Sequence, residues 1–146
     1  MDRYGYLFLS NAVDEVELRI ERVQHSFFKN LSDCIRNALY YDSSNKKEKR
    51  HYFKILKNSD VVQHIHNISK DCTYGYLYLC LVDDQITLFS TGNDLYHNML
   101  DCVCANKSYM DCDLFKGEQQ QYVIKVGYFV LLNDDEIIRE LHLPAV

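Results

Sequence analysis

The chain has 146 residues, a formal net charge of −5, 47% apolar and 25% charged residues, and twelve Tyr and seven Phe with no Trp. This profile suits a single α+β domain spanning 1–146 and excludes a disordered chain. The acidic balance disfavours double-stranded nucleic acid, whose phosphates must be neutralised by Lys and Arg.

No segment approaches the roughly 18 consecutive apolar residues of a membrane-spanning helix. The start, Met1-Asp2-Arg3-Tyr4-Gly5, has no apolar core of a secretory signal, which points to a cytoplasmic or nuclear protein. Cys34, Cys72, Cys80, Cys102, Cys104 and Cys112 are therefore expected as reduced thiols.

In chain order, Tyr4–Ser10 alternates as a strand, with Tyr4, Tyr6 and Phe8 on one face and Gly5, Leu7 and Leu9 on the other. Apolar residues then recur at Val13, Val16, Ile20, Val23, Phe27, Leu31, Cys34 and Ala38. Their spacing of three and four predicts a long helix to about Tyr41, capped by Asn11. A rival pattern, Val16, Leu18 and Ile20 alternating with Glu17, Arg19 and Glu21, would make residues 15–23 a strand in a hairpin with the first. The helix is preferred because its pattern runs further. Asn45 and Glu48 resemble a capping box for a basic helix through Lys57, carrying Lys46, Lys47, Lys49, Arg50, Lys54 and Lys57. Ser59 is expected to cap a short helix with Val61 or Val62, Ile65 and Ile68.

Tyr74–Val82 and Gln85–Ser90 read as a hairpin turning at Asp83-Asp84. Asp94–Ala105 has a helical pattern, Asn106–Gln120 reads as a long loop, Gln121–Leu132 as a central strand, and Asp134–Leu141 as a last helix. Tyr4-Gly-Tyr-Leu-Phe-Leu9 recurs as Tyr74-Gly-Tyr-Leu-Tyr-Leu79, with a fainter echo at Val126-Gly-Tyr-Phe-Val-Leu131. Six residues are too few to establish duplication, since two strands in like environments converge on like residues. The expected fold is a two-layer α+β sandwich: an antiparallel sheet of four to five strands with helices on one face. The expected order is β-α-β-β-α-β, the ferredoxin-like order, or a longin- or profilin-like sheet if residues 15–23 are a strand.

No Gly-rich phosphate loop, H-E-x-x-H, G-x-S-x-G or C-x-x-C occurs. His97, Cys102, Cys104 and Cys112 could supply zinc ligands, but Cys-x-Cys on a helix sends the two sulfurs to opposite faces. His64-x-His66 diverges likewise on a helix. Asp83, Asp84, Asp94, Asp101, Asp111, Asp113 and Glu118 invite a metal-dependent hydrolase or nuclease, yet acids at turns are common for turn reasons. No cofactor, catalytic residue or metal ligand is assigned. What remains is the aromatic face: Tyr4, Tyr6, Phe8, Tyr74, Tyr76 and Tyr78. With the aliphatic face packed on the helices, these rings would lie open as an interface; alternatively a helix or a loop of the chain covers them as a second half of the core. The expected function is a non-enzymatic module binding a protein partner, or itself as a homodimer. Stacking of single-stranded nucleic acid on the same face is the alternative. Abundant Asn, Lys, Tyr, Ile and Asp fit an AT-rich genome, such as that of a large DNA virus, and hence a viral host-interaction protein.

Overall fold

The computed structural model describes residues 4–11, 18–23, 27–40, 49–66, 72–82, 85–92, 94–110 and 124–141. The chain forms β1 (Tyr4–Asn11), β2 (Leu18–Val23), α1 (Leu31–Tyr40), β3 (Lys49–Ile55) and α2 (Asn58–His66). It continues with β4 (Tyr74–Val82), β5 (Gln85–Thr91), α3 (Met99–Met110), β6 (Ile124–Leu131) and α4 (Asp134–Leu141). The six strands form one antiparallel sheet in the order β2-β1-β3-β6-β4-β5. The α+β sandwich stands as expected. The order of elements does not: it is ββαβα, twice, rather than β-α-β-β-α-β.

Parts of two expected helices are strands. The end of the expected long helix is helical as α1 and buries Leu31, Cys34 and Ala38 of the expected stripe, whereas residues 18–23 pair with β1, so the hairpin reading holds for this segment. The cause is a bulge: the β1–β2 register slips between Phe8 and Leu9. One extra residue in β2 puts the buried Ile20 and Val23 three apart, which imitates helical spacing. Residues 49–55 of the basic segment form β3, inside the sheet between β1 and β6, and its residues 46–48 lie outside the described residues. Three helices, α1, α3 and α4, start at N-x-x-(D/E) signals. Asn30 Oδ1 accepts from Asp33 N at 2.9 Å, Asn98 Oδ1 from Leu100 N at 2.8 Å, and Asn133 Oδ1 from Glu136 N at 2.8 Å. Asn11 lies in β1, Ser59 lies within α2, and Asn45 lies outside the described residues.

The two ββαβα halves are related by a pseudo-two-fold axis between β3 and β6. Tyr4↔Phe28 and Tyr74↔Tyr96 form matching isolated bridges. The β1–β2 and β4–β5 ladders share one register, with Leu9↔Ile20 matched by Leu79↔Leu88, and slip at the same place, Phe8/Leu9 and Tyr78/Leu79. At the axis, Lys54 pairs with Val130, flanked by Phe53↔Leu131 and Ile55↔Phe129. Leu56 N donates to Tyr128 O at 2.8 Å and Leu132 N to Tyr52 O at 2.9 Å, a reciprocal pair. Thus Tyr52-Phe-Lys-Ile-Leu56 corresponds to Tyr128-Phe-Val-Leu-Leu132. The echo seen at Val126–Leu131 therefore belongs to the partner of β3, and its Gly127 is unrelated to Gly5 and Gly75.

Those two glycines have one shared reason. Gly5 sits opposite Phe53, and Gly75 opposite Phe129. A Cβ on Gly5 would come 2.5 Å from Phe53 Cζ, and one on Gly75 would meet Phe129 Cζ. Each glycine thus leaves room for a ring lying across its strand. The two rings meet near the axis, centroids 4.8 Å apart. They join Leu7, Leu9, Leu77 and Leu79 in an apolar cluster on one face of the sheet. The four helices of the described residues pack on the other face, through Leu31, Cys34 and Ala38 of α1, Val61 of α2, Met99 and Cys102 of α3, and Ile137 of α4.

Candidate functional site

The face beneath the helices is the aromatic one. Tyr4, Tyr6, Phe8, Tyr74, Tyr76 and Tyr78 are all buried, Tyr6 at 1% and Tyr76 at 8% exposure. This corrects the expectation of an open aromatic surface. Tyrosines fill the contact with the helices, which bring partners for their hydroxyls. Rings held under a helical layer are not accessible for a base to stack on, nor for a partner to grip.

The hydroxyls of Tyr4, Tyr6, Tyr74 and Tyr78 each meet a named helix residue. Tyr6 donates to Asn37 Oδ1 at 2.9 Å, across to α1. Tyr78 donates to Asn106 Oδ1 at 2.5 Å, and Asn106 Nδ2 donates to the Tyr128 hydroxyl at 2.8 Å. Asn106 is thereby satisfied although it is 1% exposed. In the first half the corresponding positions are Phe8 and Ala38, in one apolar cluster. The two halves have changed both members of the contact together: a hydroxyl with an amide, or neither.

The terminal helices of the halves are exchanged. α4, from the second half, packs on α1 of the first, while α2 packs on α3 of the second. Tyr4 donates to Glu140 Oε2 at 2.9 Å, and Lys54 Nζ lies 3.3 Å from Glu140 Oε1 and 5.8 Å above the Tyr4 ring. The corresponding contact of the second half sets the Tyr74 hydroxyl 2.6 Å from His64 Nδ1. Burial first, then neighbouring Cys72 and Glu136, raise the Tyr74 hydroxyl above its ordinary range, so it stays neutral.

Two cations of the basic segment, Arg50 and Lys54, belong to the same layer. Arg50 donates to the Ala38 carbonyl at the end of α1, at 3.3 Å, and lies 5.7 Å over the Tyr52 ring. It supplies the C-terminal cation that α1 lacks in its own last turn. Lys54 is held by Glu140. Neither belongs to a solvated helix face.

The cysteine and histidine candidates separate. Cys102 is buried in α3, its thiol pushed up to about 12 by desolvation, whereas Cys104 and His97 are exposed. His64 turns to Tyr74 and His66 is exposed. Asp94 and Asp101 are exposed; Cys112, Asp83, Asp84, Asp111, Asp113 and Glu118 lie outside the described residues. Among the described residues no three His, Cys, Asp or Glu side chains converge as a metal set, and no helix is long and apolar enough to cross a membrane.

Large apolar side chains instead point outward from the helices. Val62 on α2 is 53% exposed and Ile138 on α4 is 55% exposed, at corresponding positions of the two halves. Leu39, Leu100 and Leu141 are exposed as well. Periodicity leaves Val61 or Val62 open and puts Leu100 in a helical pattern, and it says nothing of Leu39, Ile138 or Leu141. No family model, curated protein or solved structure matches the chain.

Proposed function

We propose that the protein is a non-enzymatic protein-interaction module whose contact surface is the outer side of the helical layer. The observation that carries this reading is the paired exposure of Val62 and Ile138. Each sits one residue after an inward-facing residue, buried Val61 and partly buried Ile137, and both halves keep a β-branched apolar residue there. Exposed apolar groups on a folded surface are favoured where a partner covers them. The tyrosines contribute indirectly, by fixing the helices on the sheet so that this surface is rigid before binding. The composition fits a virus-encoded chain acting on a host protein inside the cell.

The test is affinity capture with the intact chain and with Val62→Ser/Ile138→Ser. Both side chains are over half exposed, so stability should change by no more than about 0.5 kcal/mol per site. Partners held by the parent chain and released by the variant, with an unchanged urea midpoint, support the reading. Equal retention by both, or no partner held by either, removes it.

A further inference from the structure

The two ends of the sheet are equivalent by fold and opposite in chemistry. β2 closes one end and β5 the other, each paired on one side only among the described residues. The shared register sets Leu18 against Ile86, Arg19 against Thr87, Ile20 against Leu88 and Arg22 against Ser90, with Glu21 and Phe89 in the corresponding bulges. Three charged residues of β2, Arg19, Glu21 and Arg22, thus stand where β5 has Thr87, Phe89 and Ser90. β5 is Gln-Ile-Thr-Leu-Phe-Ser-Thr, without charge, proline or glycine. Charge on an edge strand discourages other chains from pairing with its free backbone groups, and an uncharged strand rich in β-formers invites it.

We infer that β5 is an intermolecular edge, and that its occupant is β5 of a second copy, paired antiparallel about a two-fold axis. Self-pairing of β5 brings no like charges together and continues the antiparallel pattern of the whole sheet. Symmetry explains why only one end is unguarded. If both ends accepted strands, β5 of one copy could take β2 of the next, and copies would chain without limit. A β5–β5 contact is isologous and closes at two. The charges on β2 hold association at the dimer. This inference uses a different surface from the helical one proposed above and goes beyond it, since it names the partner.

The experiment is analytical ultracentrifugation of the full chain over a wide concentration range, with amide hydrogen exchange on the same samples. The expected mass rises to twice 17.3 kDa, and residues 85–91 exchange at least tenfold more slowly in the dimer while residues 18–23 do not change. Thr87→Arg/Ser90→Arg, which copies the charges of β2, should return the mass to that of one chain. A single-chain mass at every concentration overturns the inference. So does a dimer that survives the double substitution, or one whose newly protected amides lie in the helices, which would assign self-association to the helical surface instead. Should the double variant misfold, the exchange pattern of the parent chain decides alone.

Discussion

Tyr4 and Glu140 are hydrogen-bonded at 2.9 Å, tying the first strand to the last helix. The contact matters beyond one bond because Glu140 also holds Lys54, half-buried beside the pseudo-axis. Glu140→Ala removes the acceptor of one group and the counter-charge of the other. The expected loss is about 1–3 kcal/mol in urea unfolding, with faster amide exchange confined first to α4. Tyr4→Phe should cost less, because the ring stays in place.

A second expectation concerns Tyr78 and Asn106. Asn106→Ala leaves the Tyr78 and Tyr128 hydroxyls without this partner and should cost about 1–3 kcal/mol. Adding Tyr78→Phe reproduces the Phe8/Ala38 pairing of the other half. The double variant should therefore be less destabilised than the two single changes added together, by about 0.5–3 kcal/mol of coupling. A double-mutant cycle in urea measures this directly.

Gly5→Ala and Gly75→Ala should each destabilise by about 1–3 kcal/mol, through overpacking against Phe53 and Phe129. Each loss should shrink when the facing phenylalanine is shortened to leucine, and should not shrink when the other half's phenylalanine is shortened. That selectivity distinguishes a ring clash from a general intolerance of side chains.

Alkaline pH should unfold the protein from its thiols and tyrosines. Burial pushes Cys34 and Cys102 from 9.0 to about 12. Burial likewise raises Tyr96 and Tyr128, the latter partly offset by its hydrogen bond with Asn106. These groups are neutral when folded and ionise more readily when unfolded. Their contribution is therefore full below about pH 9, the ordinary thiol value, and is lost as pH rises toward about 12. A urea midpoint that falls across this window, and falls less in Cys34→Ala/Cys102→Ala, is the expected outcome. At neutral pH a thiol reagent should modify exposed Cys104 and spare Cys34 and Cys102.

The parts of the fold legible in sequence were those with undisturbed periodicity. β1, β4, β6 and α4 have patterns that match their observed roles, and the Tyr4–Leu9/Tyr74–Leu79 repeat marked real equivalence. β2 was obscured because a bulge converts alternation into helical spacing at Ile20 and Val23. β3 was obscured because lysines and arginine usually mark solvent, whereas Arg50 caps α1 and Lys54 meets Glu140. The capping signals at Asn30, Asn98 and Asn133 were present and would have placed three helices correctly. The aromatic face was legible as a face but its burial was not, since alternation shows that a strand has two faces and not which one the helices cover. The exchange of α2 and α4 is carried by contacts far apart in the chain, such as Tyr4 with Glu140, and has no local signature.

The most direct measurement is urea unfolding of Tyr6→Ser and Tyr76→Ser. If these rings fill the space between sheet and helices, each change leaves a cavity, and Tyr6→Ser also strands Asn37. A loss of about 3–5 kcal/mol for each is expected. Midpoints within about 0.5 kcal/mol of the parent chain would contradict it and return the tyrosines to the surface.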